Sequence, residues 1–546
     1  MGSNGTTFFP LRQTSTMPQQ SSVDAQVTSG ANLSYWTDSV SPIEFESISS
    51  DQQTEVLVIG GGISGLTTAY RLLETGRTVV LVEDGLIGSG ETGRTTAHIT
   101  PAVDDRYYYI ENKFGADKAA MVADSHSKAK AYIQQIVQQE NIDCDFKIVD
   151  GYLFLHPSDK ASTLRKELDA ATKAGLDVKL VERMPSINSD AFALQFIRQA
   201  QFHIMKYLKG LADAIVRRGG KIYTRSRATK VKEGTATVNG YTITSNATVV
   251  ATNTPFIDVV TMHTKQHPYR TYVIAAKIRK DMITPALWWD TGDLNSAWVT
   301  QPYHYVRTQD FDAEHYLLIS GGEDHKTGQA SKEDVAESER YEALERWTRE
   351  HFPAMGEVLY RWSGQVMEPV DCMGFIGKNP GNDSIYIITG DSGNGMTHGT
   401  IGGLLVTDLI NEKDNEWKSL YDPSRTMFRA LVDYAEEALN MAAQYGDYFT
   451  KGDVDSVDQL APGNGAVIGT GPAKFAVYKK EDSQVVVFSA ICPHLGCILQ
   501  WNGDEKSFDC PCHGSRFTCE GKLTNGPAVT DLKPVENSKF NRKNPS

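Results

Sequence analysis

Val56-Leu57-Val58-Ile59-Gly60-Gly61-Gly62-Ile63-Ser64-Gly65 decides how this chain is read. Four apolar β-formers run into a G-x-G-x-x-G turn. A helical pattern follows to about Thr75, Gly76 ends it, and residues 78–82 read as the next strand, closing on Glu83. Gly60 permits the tight turn, Gly62 lets the backbone approach a pyrophosphate, and Gly65 lets helix pack on strand. Ser64 lies in the first turn of that helix, whose free N–H groups and positive dipole end suit phosphates. Glu83 stands where a carboxylate binds ribose hydroxyls. Strand, glycine turn, helix, strand and acid in this order predict a dinucleotide site.

Two further segments distinguish the dinucleotide. Gly88-Ser89-Gly90-Glu91-Thr92-Gly93-Arg94-Thr95-Thr96-Ala97-His98 follows the second strand. Far downstream, Gly390-Asp391-Ser392-Gly393-Asn394-Gly395-Met396-Thr397-His398 follows the apolar run 385–388 and opens a helix. No parallel strand pattern follows that helix, so it is not a second nucleotide unit. Over residues 53–440 the chain resembles the D-amino-acid oxidase and glycine oxidase family. The resemblance implies FAD, wrapped by Gly90, Thr92, Arg94 and Thr96, with Val231 beside the adenine. It also implies that Gly390, Asp391, Gly395, Met396 and Thr397 face the flavin. The run 249–253 resembles the family's middle strand, which returns to the cofactor.

Five of the seven cysteines fall between Cys492 and Cys519. Cys492-Pro493-His494-Leu495-Gly496-Cys497 is followed by Cys510-Pro511-Cys512-His513-Gly514-Ser515. Two loops that each supply a cysteine and a histidine resemble a Rieske centre, in which two thiolates hold one iron of a [2Fe–2S] cluster and two imidazoles the other. The ligands implied are Cys492, His494, Cys510 and His513. Zinc also takes two cysteines and two histidines, but the paired loops and the extra cysteines favour the cluster. The resemblance to the cytochrome-complex type of Rieske protein implies a disulfide between Cys497 and Cys512. It also implies a covering loop at Gly526-Pro527-Ala528. Ser515 stands where a hydroxyl donates to the cluster, but two residues on, where high-potential members carry tyrosine, this chain has Phe517.

The resemblances imply an α/β chain: a Rossmann-type FAD-binding domain with an inserted antiparallel substrate sheet, then an all-β Rieske domain. A Ser/Thr/Gln/Pro-rich segment, 1–50, reads as a flexible leader, with a docked piece at Tyr35 and Trp36. Residues 51–450 read as the oxidoreductase domain, with its substrate part at roughly 145–200 and 260–370. Residues 455–546 read as the Rieske domain. Helices are expected at 116–140, 397–410 and 424–445.

Of 546 residues, 40% are apolar and 22% charged, a globular composition. The formal charge of -14, with no basic stripe, argues against nucleic acid. No apolar run reaches the roughly 18 residues of a membrane span. No signal-peptide pattern is seen, so a cytoplasmic location is expected. Met1-Gly2 with Thr6 fits the myristoylation pattern on paper, but a leader is the simpler reading.

The expected activity is removal of a hydride from a C–N bond of an amine or amino acid, with electrons then passed singly to the cluster. A small-molecule substrate and an external electron acceptor are the expected partners. The alternative is an electron-transfer protein that takes electrons from NAD(P)H or a ferredoxin and serves a separate redox partner; the lack of a separate nicotinamide-binding unit weakens its nicotinamide version. A Rieske oxygenase is not expected, because only 33 residues follow His513. His98, which ends the flavin-wrapping segment, and His203 are the candidate catalytic side chains. His263 and His267 read as an ordinary loop pair. Arg270 and Tyr272 are minor candidates for orienting substrate, Trp288, Trp289 and Trp298 read as core or rim, and Cys144, Cys372 and Cys519 as buried thiols.

Overall fold

A computed structural model describes residues 28–257, 262–296, 302–329, 335–425, 444–471, 473–536 and Phe540. Strand Gln52–Ile59 lies in the middle of an eight-stranded sheet. It pairs in parallel with Val79–Val82 on one side and Tyr241–Val250 on the other. Ile385–Thr389 and Lys221–Tyr223 extend the parallel core. Leu57, Val58, Leu81 and Val82 are fully buried, as expected of strands covered on both faces. Helices Ile63–Glu74 and Gly395–Ile410 pack together on one face of this sheet. Small residues allow their approach: a Cβ on Gly399 would meet Ser64 Oγ at 2.6 Å, and one on Gly403 would meet Thr67 Cγ2 at 2.7 Å.

The second sheet has nine strands, mostly antiparallel, drawn from His98–Ile99, residues 147–201 and residues 266–369. Its long strands, Gln266–Arg279, His315–Lys326 and Val358–Pro369, are paired over most of their length. Helix Ala116–Gln139 packs on Gly395–Ile410 and agrees with the expected 116–140. The expected helix 424–445 falls mainly on 426–443, and both these residues and Trp298 lie outside the described ones. The C-terminal part holds two small antiparallel sheets: Asn464–Ile468, Phe475–Lys479, Val485–Ser489, and Gln500–Asn502, Ser507–Asp509, Arg516–Thr518, Leu523–Asn525.

Residues 28–50 are packed rather than flexible, well beyond the piece expected at Tyr35 and Trp36. Ser34 caps the short helix Tyr35–Asp38, accepting from Thr37 N at 3.2 Å. Trp36 is wholly buried, with its Nε1 donating to Thr95 O at 2.6 Å. Burying such a side chain is worth about 3–5 kcal/mol by truncation, enough to offset the ordering of several residues. Farther along, Phe45 N donates to Thr224 Oγ1 at 2.9 Å and Ile48 N to Ser226 Oγ at 3.0 Å. In the other direction Asn32 Nδ2 donates to Asp504 O at 3.1 Å, and Arg516 Nη1 donates to Ser29 O at 2.6 Å. The segment therefore touches both large parts of the chain.

Candidate functional site

A cavity of about 270 Å³ opens at the C-terminal ends of the parallel strands, where ligands bind in open α/β sheets. Gly60, Gly62, Ser64, Glu83, Gly90, Thr92 and Thr96 line it, with Asp391, Gly395, Met396 and Thr397 across from them. Gly60 has φ +116°, and a Cβ there would stand 2.4 Å from Ala251 O. Glu83 accepts from Gly61 N at 2.5 Å and from Gly85 N at 2.8 Å, so its carboxylate is fixed at the turn. Burial and the neighbouring Asp84 hold that carboxyl well above its ordinary range. This cradle of bare backbone, helix N-terminus and fixed acid fits a dinucleotide.

Several expected residues lie elsewhere. Gly65 is off the wall and spaces helix from strand, since its Cβ would fall 1.9 Å from Gly60 O. Gly390 is a turn residue at φ +77° behind the wall. Val231 also misses the wall; Ser226, Arg227 and Ala228, just before it in the chain, line the cavity instead. Arg94 is on the wall, but its guanidinium is spent elsewhere: Nη1 donates to Thr28 Oγ1 at 2.8 Å and Asn32 O at 2.9 Å, and Nη2 is ion-paired with Glu505. His203 is fully buried at the start of helix Ile204–Arg217, where Nδ1 accepts from Lys206 N at 3.4 Å and Ser39 Oγ lies 2.9 Å from Nε2. It caps a helix and does not line this cavity. His98 does line the cavity, with Nδ1 3.1 Å from Thr96 Oγ1. Burial and the nearby Arg307 push it down to about 3, so it is neutral.

The end of the cavity against the second sheet is acidic. Asp104, Asp324, Glu368 and Asp391 line it, with Thr271, Tyr303 and Tyr305. Tyr303 Oη donates to Asp104 at 2.7 Å. Burial raises Asp104 and Asp391 to about 6 and Asp324 to about 7. The wall has two arginines: Arg94, already paired, and Arg227, which donates to Leu523 O at 3.1 Å and reaches Asp84 at 3.4 Å. Arg270 is turned away to Ser363 Oγ, at 2.7 Å, and Tyr272 is in the core.

In the C-terminal part, the Cys492 and Cys510 thiols are in hydrogen-bond contact and buried. The His494 and His513 rings lie side by side, 4.9 Å between centroids. Both Nδ1 atoms are buried without a hydrogen-bond partner among the described residues. Burial, reinforced by neighbouring imidazoles, pushes His494 down to about 4 and His513 to about 2, so both rings are neutral, the form that binds metal. Two thiols on one side and two orphaned imidazole nitrogens on the other fit a [2Fe–2S] cluster. Cys497 and Cys512 form a disulfide with Cα atoms 6.4 Å apart. Ser515 Oγ reaches Cys492 and accepts from Ala528 N at 3.0 Å. Phe517 is buried in the same apolar cluster as Cys492 and Cys510.

The two sites share walls. Asn525, Gly526 and Ala528 of the C-terminal part line the large cavity. Gln365, also on its wall, donates from Nε2 to Gly514 O at 3.1 Å, one residue from His513. Glu91 collects Gln365 N at 2.5 Å, Asn525 Nδ2 at 2.8 Å and Ser29 Oγ at 3.1 Å. The sequence does not single out the acidic residues Asp104, Asp324 and Glu368 or the wall residue Gln365, and His263, which reads there as half of a loop pair with His267, is buried against the His494 and His513 rings. Its only signal in the sequence was a histidine beside the turn into a sheet strand.

Residues 55–409 match the family described as FAD dependent oxidoreductase (DAO), and residues 450–536 match the Rieske [2Fe-2S] domain. The chain belongs to the DAO family of FAD-dependent oxidoreductases and carries a Rieske [2Fe-2S] domain; its cofactors are FAD and that cluster. It is 31% identical, over 92% of its length and 97% of the relative's, to the putative Rieske 2Fe-2S iron-sulfur protein YhfW of Bacillus subtilis (strain 168). It is 26% identical to the gamma-glutamylputrescine oxidoreductase of Escherichia coli (strain K12), over 67% of this chain and 85% of that one. Among solved structures, L-proline dehydrogenase from P. horikoshii superposes with a TM-score of 0.57 at 19% identity, covering 69% of this chain and 98% of that one. Glycine oxidase from Geobacillus kaustophilus gives 0.55 at 16%, covering 69% and 100%. These two establish the shared fold. Among the described residues, no helix is long and apolar enough to cross a membrane.

Proposed function

We propose that the chain oxidises the C–N bond of a small cationic amine and sends the electrons, one at a time, through its own Rieske domain. FAD when bound supplies an acceptor of two electrons that can release them singly, and the cluster one that takes a single electron. The residues proposed to hold the cluster are Cys492, Cys510, His494 and His513; those proposed for FAD are the cavity-lining residues of the two glycine segments and Glu83. Loss of a hydride from the α-carbon and a proton from nitrogen turns C–N into C=N, which water hydrolyses. The two electrons leave in two steps to an external one-electron acceptor.

The observation that carries this reading is the shared wall. Gln365 and Ala528 each touch the cavity on one side and the cluster loops on the other, through Gly514 and Ser515. The acidic end favours an amine over an amino acid, because Asp104 and Asp324 suit an ammonium, whereas Arg94 and Arg227 are already committed. The similarity to gamma-glutamylputrescine oxidoreductase supports an amine as well.

The test is anaerobic stopped-flow mixing with amines, N-methylated amines and amino acids in turn. Flavin absorbance should fall first and the cluster should be reduced second, at a rate independent of protein concentration. A second phase that scales with concentration, or a cluster that stays oxidised beside reduced flavin, would overturn the internal route. Bleaching by amino acids alone would overturn the substrate class.

A further inference from the structure

His263 stands where the flavin domain meets the cluster loops. It lies in the turn before strand Gln266–Arg279 and is 2% exposed. Its ring centroid is 4.7 Å from that of His494, at 73° between planes, and 5.3 Å from that of His513, at 64°. The two cluster-side rings are themselves 4.9 Å apart at 88°. Three imidazoles thus meet edge to face, two from one domain and one from the other. Aromatic rings attract in this orientation, because a positive edge meets a negative face. Gly514, at φ +77°, is pressed from the same side: a Cβ there would stand 2.7 Å from both Gln365 Nε2 and Pro268 Cβ. Strand Gln266–Arg279 and the turn before it therefore cover His513, which is buried, and part of His494, which stays half-buried.

We infer that His263 is a positioning residue for the cluster. It fixes the planes of the two imidazoles and keeps water and outside proteins off the side of their face that it covers. Because the two thiolates, two sulfides and two neutral imidazoles keep their charges, the single electron taken up would make the reduced cluster one charge more negative than the oxidised one. What covers the ligand edges therefore sets how readily it is reduced. With His513 closed off by the flavin domain, electrons arrive from within the same chain, and the half-buried edge of His494 is left to an outside acceptor. The inference rests on the assignment of His494 and His513 as ligands.

The test uses the full-length holoprotein with dithionite as reductant, so it is independent of any substrate. In His263→Ala, iron and sulfide should stay near the wild-type content. The midpoint potential should shift upward, because water at the opened face stabilises the more negative reduced form, and the g values of the reduced cluster should change. His263→Phe keeps a ring that excludes water and should stay near wild type in both readouts. Unchanged potential and g values in His263→Ala overturn the inference. So does a shift in His263→Phe as large as that in His263→Ala. Should His263→Ala fail to load iron, His263→Gln replaces it, and a wild-type potential in that variant again overturns the inference. A wild-type protein lacking a Rieske-type resonance would instead sink the ligand assignment itself.

Discussion

Arg94 and Glu505 form an ion pair in which the two side chains are 0% and 1% exposed, and they come from different domains. Burial alone would raise the Glu505 carboxyl, but Arg94, Arg516 and Arg270 outweigh it and hold it at about 2. Ser363 N adds a hydrogen bond at 3.1 Å. Removing one partner of a buried pair leaves an uncompensated charge and costs about 3–5 kcal/mol. Glu505→Ala should therefore lower the melting temperature and expose the junction near residue 450 to limited proteolysis. Arg94→Met with Glu505→Leu should recover part of the loss. A single variant as protease-resistant as the wild type would mean that this pair does not hold the domains together.

His304 gives the stability a pH dependence on the alkaline side. Burial opposes its charging, but Asp290 at 2.9 Å and Glu323 at 3.0 Å push it up to about 9 from the usual 6.5. The stabilisation is complete below 6.5 and is lost as pH rises through about 9. Thermal scans between these values should show a falling melting temperature. His304→Gln should flatten that slope, and an equally steep slope in this variant would assign the effect to another group.

Flavin binding should fail at the glycine turn without loss of the cluster. A Cβ at Gly62 already stands 2.7 Å from Thr92 Oγ1, so Gly62→Val fills the cradle from both sides. We expect purified Gly62→Val to lack FAD yet keep iron and sulfide. Glu83→Ala removes hydrogen bonds without adding bulk and should weaken FAD less severely, by about 0.5–1.5 kcal/mol per bond lost. Full FAD occupancy in Gly62→Val would place the cofactor elsewhere.

The cluster potential should respond to Ser515. Its hydroxyl reaches Cys492, and losing a donor beside a thiolate ligand destabilises the reduced form. Ser515→Ala should lower the midpoint potential. Phe517→Tyr should raise it, because a hydroxyl at this buried position adds a donor near the same thiols. A lower or unchanged potential in the tyrosine variant would show that the ring points away from the cluster.

Amine affinity should depend on Asp324. Its carboxyl is raised to about 7 by burial and holds a cation only when ionised, so KM for an amine should rise as pH falls through 7. Asp324→Asn should raise KM roughly tenfold or more and remove that pH dependence, since breaking a buried charge contact costs about 2–5 kcal/mol. An unaltered KM would move the ammonium site toward Asp104 or Glu368.

The parts legible in the sequence are those built from short local rules. The turn Gly60–Gly65 and the two Cys/His loops carry their chemistry within a dozen residues, and the long helix 116–140 follows from periodicity alone. What escaped depends on contacts between distant segments. Arg94 sits in a flavin-wrapping stretch, yet its side chain leaves for Glu505, 411 residues away. His203 looked available to substrate because nothing in the sequence announces that Trp36 and Ser39 will cover it. His263 was unreadable for the same reason: its partners, His494 and His513, are more than two hundred residues downstream.

The packed stretch 28–50 has a consequence for how the molecule is made. Asn32 N donates to Glu505, 473 residues later, and Ser29 O waits for Arg516, 487 residues later. On the ribosome the beginning of this stretch stays without those partners until residues 505–516 have emerged, so it settles long after it is made. The Rieske domain is then a late-arriving clasp for a segment made well before it. Expressing the two domains as separate polypeptides would leave Arg94 and Ser29 facing solvent in one fragment and Glu505 and Arg516 in the other, so co-expression should rescue both better than mixing them after purification.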